Sequence, residues 1–123
     1  MRNLRYLLAG VVLLGVALSI EKASASTPDQ VTALIYEAAA YYGADGDWLY
    51  AVALCETGGT LRADLVGRHG ERGVFQWLSG GQWWNTPLGR AGYPIPVGNL
   101  WGDVSMAAWS FANGYASAWS CAR

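Results

Sequence analysis

Residues 48–54 read Trp-Leu-Tyr-Ala-Val-Ala-Leu, an apolar run with almost no polar face at helical spacing. A helix that is hydrophobic nearly all round is stable only when packed on most sides, so this run predicts a domain folded around it. Asp45 stands where it can cap that helix, and Asp47 falls in the first turn, where an acid complements the dipole. The run closes at Cys55-Glu56-Thr57-Gly58-Gly59. Upstream, Thr27-Pro28-Asp29-Gln30 is a helix start: a Thr cap, Pro at the first helical position, and Gln three after the cap. Val31, Leu34, Ile35, Ala38 and Tyr42 then share one face, and Gly43 ends the helix. Asn99 opens a third long helix with Trp101, Val104, Ala108 and Phe111 on one face and Gly114 as its stop. Over residues 60–78 the helical period is lost, and Gly67, Gly70 and Gly73 punctuate a polar segment. That pattern predicts a long loop carrying a small hairpin. Residues 79–82 are placed to cap a short helix through Trp83-Trp84, and an irregular Pro- and Gly-rich connection follows. The expected architecture is one mainly α domain with a minor β element.

The chain has 123 residues, enough for a single domain. Arg2 and Arg5 precede an apolar run over residues 6–20, and Ala23-Ser24-Ala25 follows a polar Glu21-Lys22. This is the order of a secretory signal peptide over residues 1–25, cleaved after Ala25, which leaves residues 26–123 as the domain. The alternative is a permanent anchor, but a membrane span needs roughly 20 apolar residues and this run is shorter. The expected location is therefore outside the cytoplasm, secreted or periplasmic, with no stable membrane anchor. A domain this small often needs a covalent staple. Cys55 and Cys121 supply the means in an oxidising compartment, the alternative being two free buried thiols. Lys22 is the only lysine, so the domain itself is mildly acidic. That argues against a nucleic-acid partner, which calls for clustered Lys and Arg.

Tryptophan is abundant: Trp48, Trp77, Trp83, Trp84, Trp101, Trp109 and Trp119. Indoles are large and seldom wholly buried, so some of these rings are expected along a surface groove, where an indole face suits the C–H bonds of a sugar. Glu56 breaks a local rule. It ends an apolar helix, where the partial negative charge of the C-terminus opposes a carboxylate. Burial and that dipole both predict a raised pKa, which suits a group that must hold a proton near neutrality and give it to a leaving oxygen.

Three elements in order then resemble one family. Glu37-Ala38-Ala39 and Tyr42-Gly43, followed by Leu54-Cys55-Glu56-Thr57-Gly58, look like the opening of the soluble lytic transglycosylase domain of the lysozyme-like superfamily. Gly73-Val74-Phe75-Gln76 is similar to its Gly-Leu-Met/Phe-Gln element. The run from Ala107 through Asn113-Gly114, with Trp119 and Cys121, resembles the closing helix and Trp-x-Cys ending of small secreted members. The resemblance implies a lysozyme-like helical α+β domain with its hairpin between the second and later helices. It also implies cleavage of the β-1,4 bond between N-acetylmuramic acid and N-acetylglucosamine in peptidoglycan. In the family the Glu of Glu-Ser/Thr-Gly is the acid and base, a role that falls here on Glu56. The chain departs at Phe111-Ala112-Asn113-Gly114, where members often carry Tyr-Asn-Ala-Gly with a tyrosine hydroxyl that orients the Glu; Tyr115 is the nearest hydroxyl here.

The expected site is Glu56 as acid and then base, with Thr57 and Gln76 hydrogen-bonding the sugar or its N-acetyl group. Trp77, with Trp83 or Trp84, would form a stacking wall. A transglycosylase needs no second acid, because the substrate's 6-hydroxyl closes a 1,6-anhydro ring. Ordinary glycosidases need two carboxylates. For that alternative, Asp64 lies in the loop after Glu56, Glu71 reads as a solvated hairpin tip, and Asp103 sits in a helix first turn. A third reading is a non-catalytic glycan-binding module with the same groove. His69 is a lone loop histidine without Cys or Ser partners at telling spacing, so no metal and no cofactor are expected. The protein is expected to act as a monomer on glycan strands.

Overall fold

The computed structural model describes residues 26–123; the leader expected over residues 1–25 lies outside them. Helix α1 spans Pro28–Tyr42. Its capping box is formed in both directions, with the Gln30 N–H donating to Thr27 Oγ1 at 3.2 Å and the Thr27 N–H to Gln30 Oε1 at 3.0 Å. Gly43 ends it in the left-handed region at φ 77°, a conformation that glycine adopts without a Cβ penalty. Helix α2 spans Gly46–Glu56 and is capped by Asp45, whose carboxylate accepts from the N–H groups of Asp47 and Trp48. A four-residue helix α3, Pro87–Arg90, follows a 3-10 turn at Gln82–Asn85, and helix α4 spans Leu100–Ala112. Two 3-10 turns, Ala116–Ala118 and Ser120–Ala122, finish the chain.

The helix that the others wrap is not the one expected. Only Leu49, Val52 and Ala53 of α2 are buried, and Trp48 is 41% exposed. Helix α4 takes the central place instead, burying Leu100, Val104, Ala107, Ala108 and Phe111 together with polar Asp103, Ser105 and Ser110. Its small residues explain the exchange. Alanines and serines let α1 pack closely against it, whereas the bulky Trp48 and Tyr50 hold α2 at the periphery.

The expected hairpin is also reduced. Among the described residues there is no paired strand, only isolated antiparallel bridges of Arg72 with Val66 and with Trp77. Gly70 and Gly73 take φ of 81° and 84°, and Gln76 takes 51°, so the backbone turns back before a ladder can extend. The segment is held by single bonds such as Gly67 N–H to Glu71 O at 2.8 Å and Gly73 N–H to Leu65 O at 2.9 Å. The fold is therefore mainly α, without a sheet among the described residues. A single 3-10 turn rather than a capped helix carries Trp83 and Trp84, since Gly81 offers no side-chain cap.

Cys55 and Cys121, 66 positions apart in sequence, are joined in a disulfide with Cα atoms 6.0 Å apart. In the chain-entropy view, closing a loop of that length stabilises the fold by about 4 kcal/mol. Among the described residues no helix is long and apolar enough to cross a membrane.

Candidate active site

Glu56 occupies the last turn of α2, and Thr57 decides what happens next. Thr57 is 3% exposed; its hydroxyl donates to Ala53 O at 2.8 Å and accepts from the Leu61 N–H at 2.9 Å. The hydroxyl expected to meet a sugar is thus used internally, to stop the helix and fasten the returning chain. With Gly58 and Gly59 at φ 62° and 86°, the turn carries the chain away and leaves the Glu56 side chain half-buried beside a cleft.

The cleft has a volume of about 160 Å³. Glu56 forms one part of it, Glu71 and Gln76 come from the glycine-rich loop, Gln82 comes from the 3-10 turn, and Ala118 to Ser120 form a further wall. Cys121 lies next along the chain, so the disulfide fastens that wall to the residue before Glu56. Burial raises the Glu56 carboxyl above its ordinary value; a hydrogen bond from the Cys121 backbone acts the other way, and the Glu71 charge adds to the rise. A cleft smaller than the roughly 300 Å³ of a typical small-ligand pocket holds one sugar unit at most, so a longer strand must lie across its open rim.

Gln76 enters the cleft from a left-handed backbone position, φ 51°, unusual for a residue with a side chain. Its Nε2 donates to Gly73 O at 2.7 Å and Leu65 O at 3.3 Å, which fixes the amide so that Oε1 remains the free end. The clasp behind this loop is Asp103. Its carboxylate, 2% exposed, accepts from the Val74 N–H at 2.6 Å, the Phe75 N–H at 3.1 Å and Trp77 Nε1 at 3.0 Å. A Cβ on Gly73 would collide with Asp103 Oδ2, so glycine there is a packing requirement as well as a turn. Burial pushes the Asp103 carboxyl up to about 7, offset in part by those three donors. Asp103, a candidate second carboxylate from its place in the first turn of α4, is instead committed to this loop.

The tryptophans are placed differently from the expectation. Trp77 is 2% exposed and Trp83 is 1% exposed, each packed edge-to-face on the other with centroids 5.3 Å apart. Trp119, also buried, stacks edgewise on Trp77 at 5.1 Å and donates its indole N–H to Phe75 O. Trp77 therefore reaches the cleft from within the core and offers no open face for a sugar. The pull is the same in each case: a buried indole finds a partner for its N–H, here Asp103, Tyr93 O or Phe75 O. Trp84 is 45% exposed, but it is held by a bond to Ser79 O and is not among the cleft residues.

No protein-family model, curated protein or solved structure matches this chain.

The two remaining acids exchange places with their expected roles. Asp64 is paired with Arg62 through two bonds of 3.0 Å on the open surface, which lowers its carboxyl pKa, and it is not a cleft residue. Glu71, expected as a solvated tip, faces the cleft with Glu56. Its Oε1 accepts from the exposed His69 N–H at 2.5 Å, which pulls the carboxylate back over its own turn. Among the described residues, no group of three or more His, Cys, Asp or Glu side chains could hold a metal ion.

Proposed function

We propose that this protein cleaves the β-1,4 glycosidic bond between N-acetylmuramic acid and N-acetylglucosamine in peptidoglycan, with Glu56 as the proton donor. The observation that carries the reading is the meeting of two sequence elements. Glu56 of Leu54-Cys55-Glu56-Thr57-Gly58 and Gln76 of Gly73-Val74-Phe75-Gln76 line one cleft, where burial holds the Glu56 carboxyl toward its protonated form. A proton donor working near neutrality needs such a carboxyl. Glu56 gives its proton to the bridging oxygen as the bond to the anomeric carbon breaks. In the transglycosylase route the same Glu56 then takes the proton of the sugar's 6-hydroxyl, and a 1,6-anhydro ring closes; in the hydrolytic route water adds instead. The first step is common to both. The closed disulfide fits an oxidising compartment, and the protein would act there on glycan strands as a monomer, without a cofactor. Glu56→Gln keeps the shape and removes the proton. That variant should release less than about 1% of the soluble fragments that the unaltered protein releases from purified cell walls, in line with loss of a general acid. Release at the unaltered rate would end the proposal.

One observation favours a second reading, a glycan-binding module without catalysis. Phe111 packs against Trp48 and Trp119, and Tyr115 stacks on Trp109 with centroids 5.8 Å apart; neither lines the cleft, and among the described residues no tyrosine does. Retention of the protein on cell walls with no release of dye-labelled fragments would support this module.

A further inference from the structure

Residues 72–77 make a tight turn. Arg72 and Trp77 close it with reciprocal backbone bonds of 3.1 and 2.9 Å, and Gly73 and Gln76 both take left-handed φ within it. Glycine does so without cost at position 73. A residue with a side chain at position 76 does not, and such strain persists only where the surroundings hold it. The N–H groups of Val74 and Phe75, at the tip between those two positions, meet no backbone carbonyl among the described residues. Both donate to Asp103 instead, as does the indole of Trp77 just beyond Gln76. The strained residue is thus bracketed on both sides by bonds to one carboxylate of the central helix α4. The same short segment reaches another wall of the cleft. Phe75 O accepts from the Trp119 indole at 2.8 Å, the Trp77 ring packs on that of Trp119, and both rings line the cleft with Gln76. Asp103 is not a cleft residue.

We propose that Asp103 is a positioning residue for this cleft, holding the turn at residues 73–77 so that Gln76 is presented to the glycan. This rests on the cleft being the site of glycan cleavage. Asp103 touches no substrate and acts through Gln76. Three donors on one carboxylate fix where the turn lies on α4 and keep the backbone of Gln76 in a conformation it would otherwise leave. Without them the Val74 and Phe75 N–H groups need other partners, position 76 relaxes toward the ordinary right-handed or extended regions, and the amide turns out of the cleft. Misplacing a group that orients substrate slows the reaction much as removing it does. The strain at Gln76 is therefore a functional one, held in place from a helix behind the cleft.

The test is a double-mutant cycle with Asp103→Asn, Gln76→Gly and the two together, assayed on soluble peptidoglycan strands with kcat and KM measured separately. The folded fraction of each sample is taken from its urea unfolding curve, and rates are expressed per folded molecule. Gln76→Gly removes the amide but suits the left-handed backbone, so it should fold at least as well as the unaltered protein. It should lose about 10-fold in kcat/KM, the equivalent of one hydrogen bond. Asp103→Asn should lose about as much by itself. With Gln76→Gly already present, Asp103→Asn should cost less than about 3-fold more, because the group it acts through is gone. A merely structural Asp103 changes how much protein is folded and leaves kcat and KM of the folded molecules as they were. That result, equal losses in both backgrounds, or full activity of Gln76→Gly overturns this inference and leaves the role of Glu56 intact. If Asp103→Asn does not fold, Trp77→Phe takes its place in the cycle, removing one of the three donors while keeping an aromatic ring, with the same outcomes. No cleavage by the unaltered protein overturns the proposed function and this inference with it.

Discussion

Replacing Asp103 with Asn should flatten the dependence of folding stability on pH. In the native protein burial raises the Asp103 carboxyl to about 7, whereas in the unfolded chain it returns to an ordinary value of about 3.9. Between those values the native state holds a proton that the unfolded state has released. Stability is therefore greatest below about pH 4 for this group, and it is lost as pH rises toward 7. The full difference between the two values corresponds to about 4 kcal/mol, at 1.36 kcal/mol per pH unit. An Asn side chain carries no charge at any of these pH values, so its contribution is level. It also carries a separate penalty that does not depend on pH. The Asn carbonyl can accept from the Phe75 N–H and Trp77 Nε1, but its amide nitrogen then opposes the Val74 N–H, leaving a buried donor unpaired at a cost of about 1–3 kcal/mol. Urea unfolding followed by tryptophan fluorescence, with the disulfide intact, measures both effects between about pH 4 and pH 8. Glu56 is also raised and Asp64 lowered, but both are present in each protein and cancel in the difference. Parallel stability curves for the two proteins across that window would refute the assignment of the slope to Asp103.

Other outcomes follow from the same geometry. Because the Glu71 charge helps to raise the Glu56 carboxyl, the residual activity of Glu71→Gln should have its alkaline limb at lower pH than the unaltered protein; a limb that stays in place or moves up contradicts that coupling. Gly67→Ala meets no backbone strain but places a methyl against Glu71 Oε2 and Gln76 Oε1, so cell-wall release should fall at least about 10-fold while the stability loss stays under about 3 kcal/mol. Unchanged release in that variant would mean that displacing these two cleft-lining side chains does not disturb the site. Replacing both Cys55 and Cys121 with Ala should lower the unfolding free energy by about 4 kcal/mol, read from the urea midpoint; a loss below about 1 kcal/mol would argue against a long-loop constraint.

Much of the frame was legible because helix ends are written locally. Thr27 with Gln30, Asp45 and Asn99 each cap the helix that their positions announced, and Gly43 ends α1 in the left-handed region. The choice of which helix lies at the centre was not legible in the same way. Apolar character around α2 pointed to it, but small size along α4 decided, and close approach depends on the partner as much as on the sequence. Glu56 stood out since a carboxylate at the end of an apolar run has a physical cost that can be read from neighbours alone. Thr57 and Trp77 were harder: both carry polar atoms that can serve a ligand or the fold, and the fold claimed them through Ala53, Leu61 and Asp103. For Asp103 a signal was present. It falls three residues after Leu100 and four before Ala107, within the apolar stripe of its helix, where a buried acid must have partners. For Glu71 the deciding contact comes from glycines that let the loop fold back, which no periodicity encodes.

The link between Cys55 and Cys121 has a topological effect beyond stability. Measured along the backbone, Glu56 and Ser120 are far apart; measured through the sulfur bridge, they are near neighbours, each adjacent to a bridged residue. Once oxidised, the acid and this wall therefore remain together even when the intervening loops open transiently. Reduction would return their encounter to chance closure of a long chain, so the thiol state sets whether this part of the cleft is a local or a long-range structure.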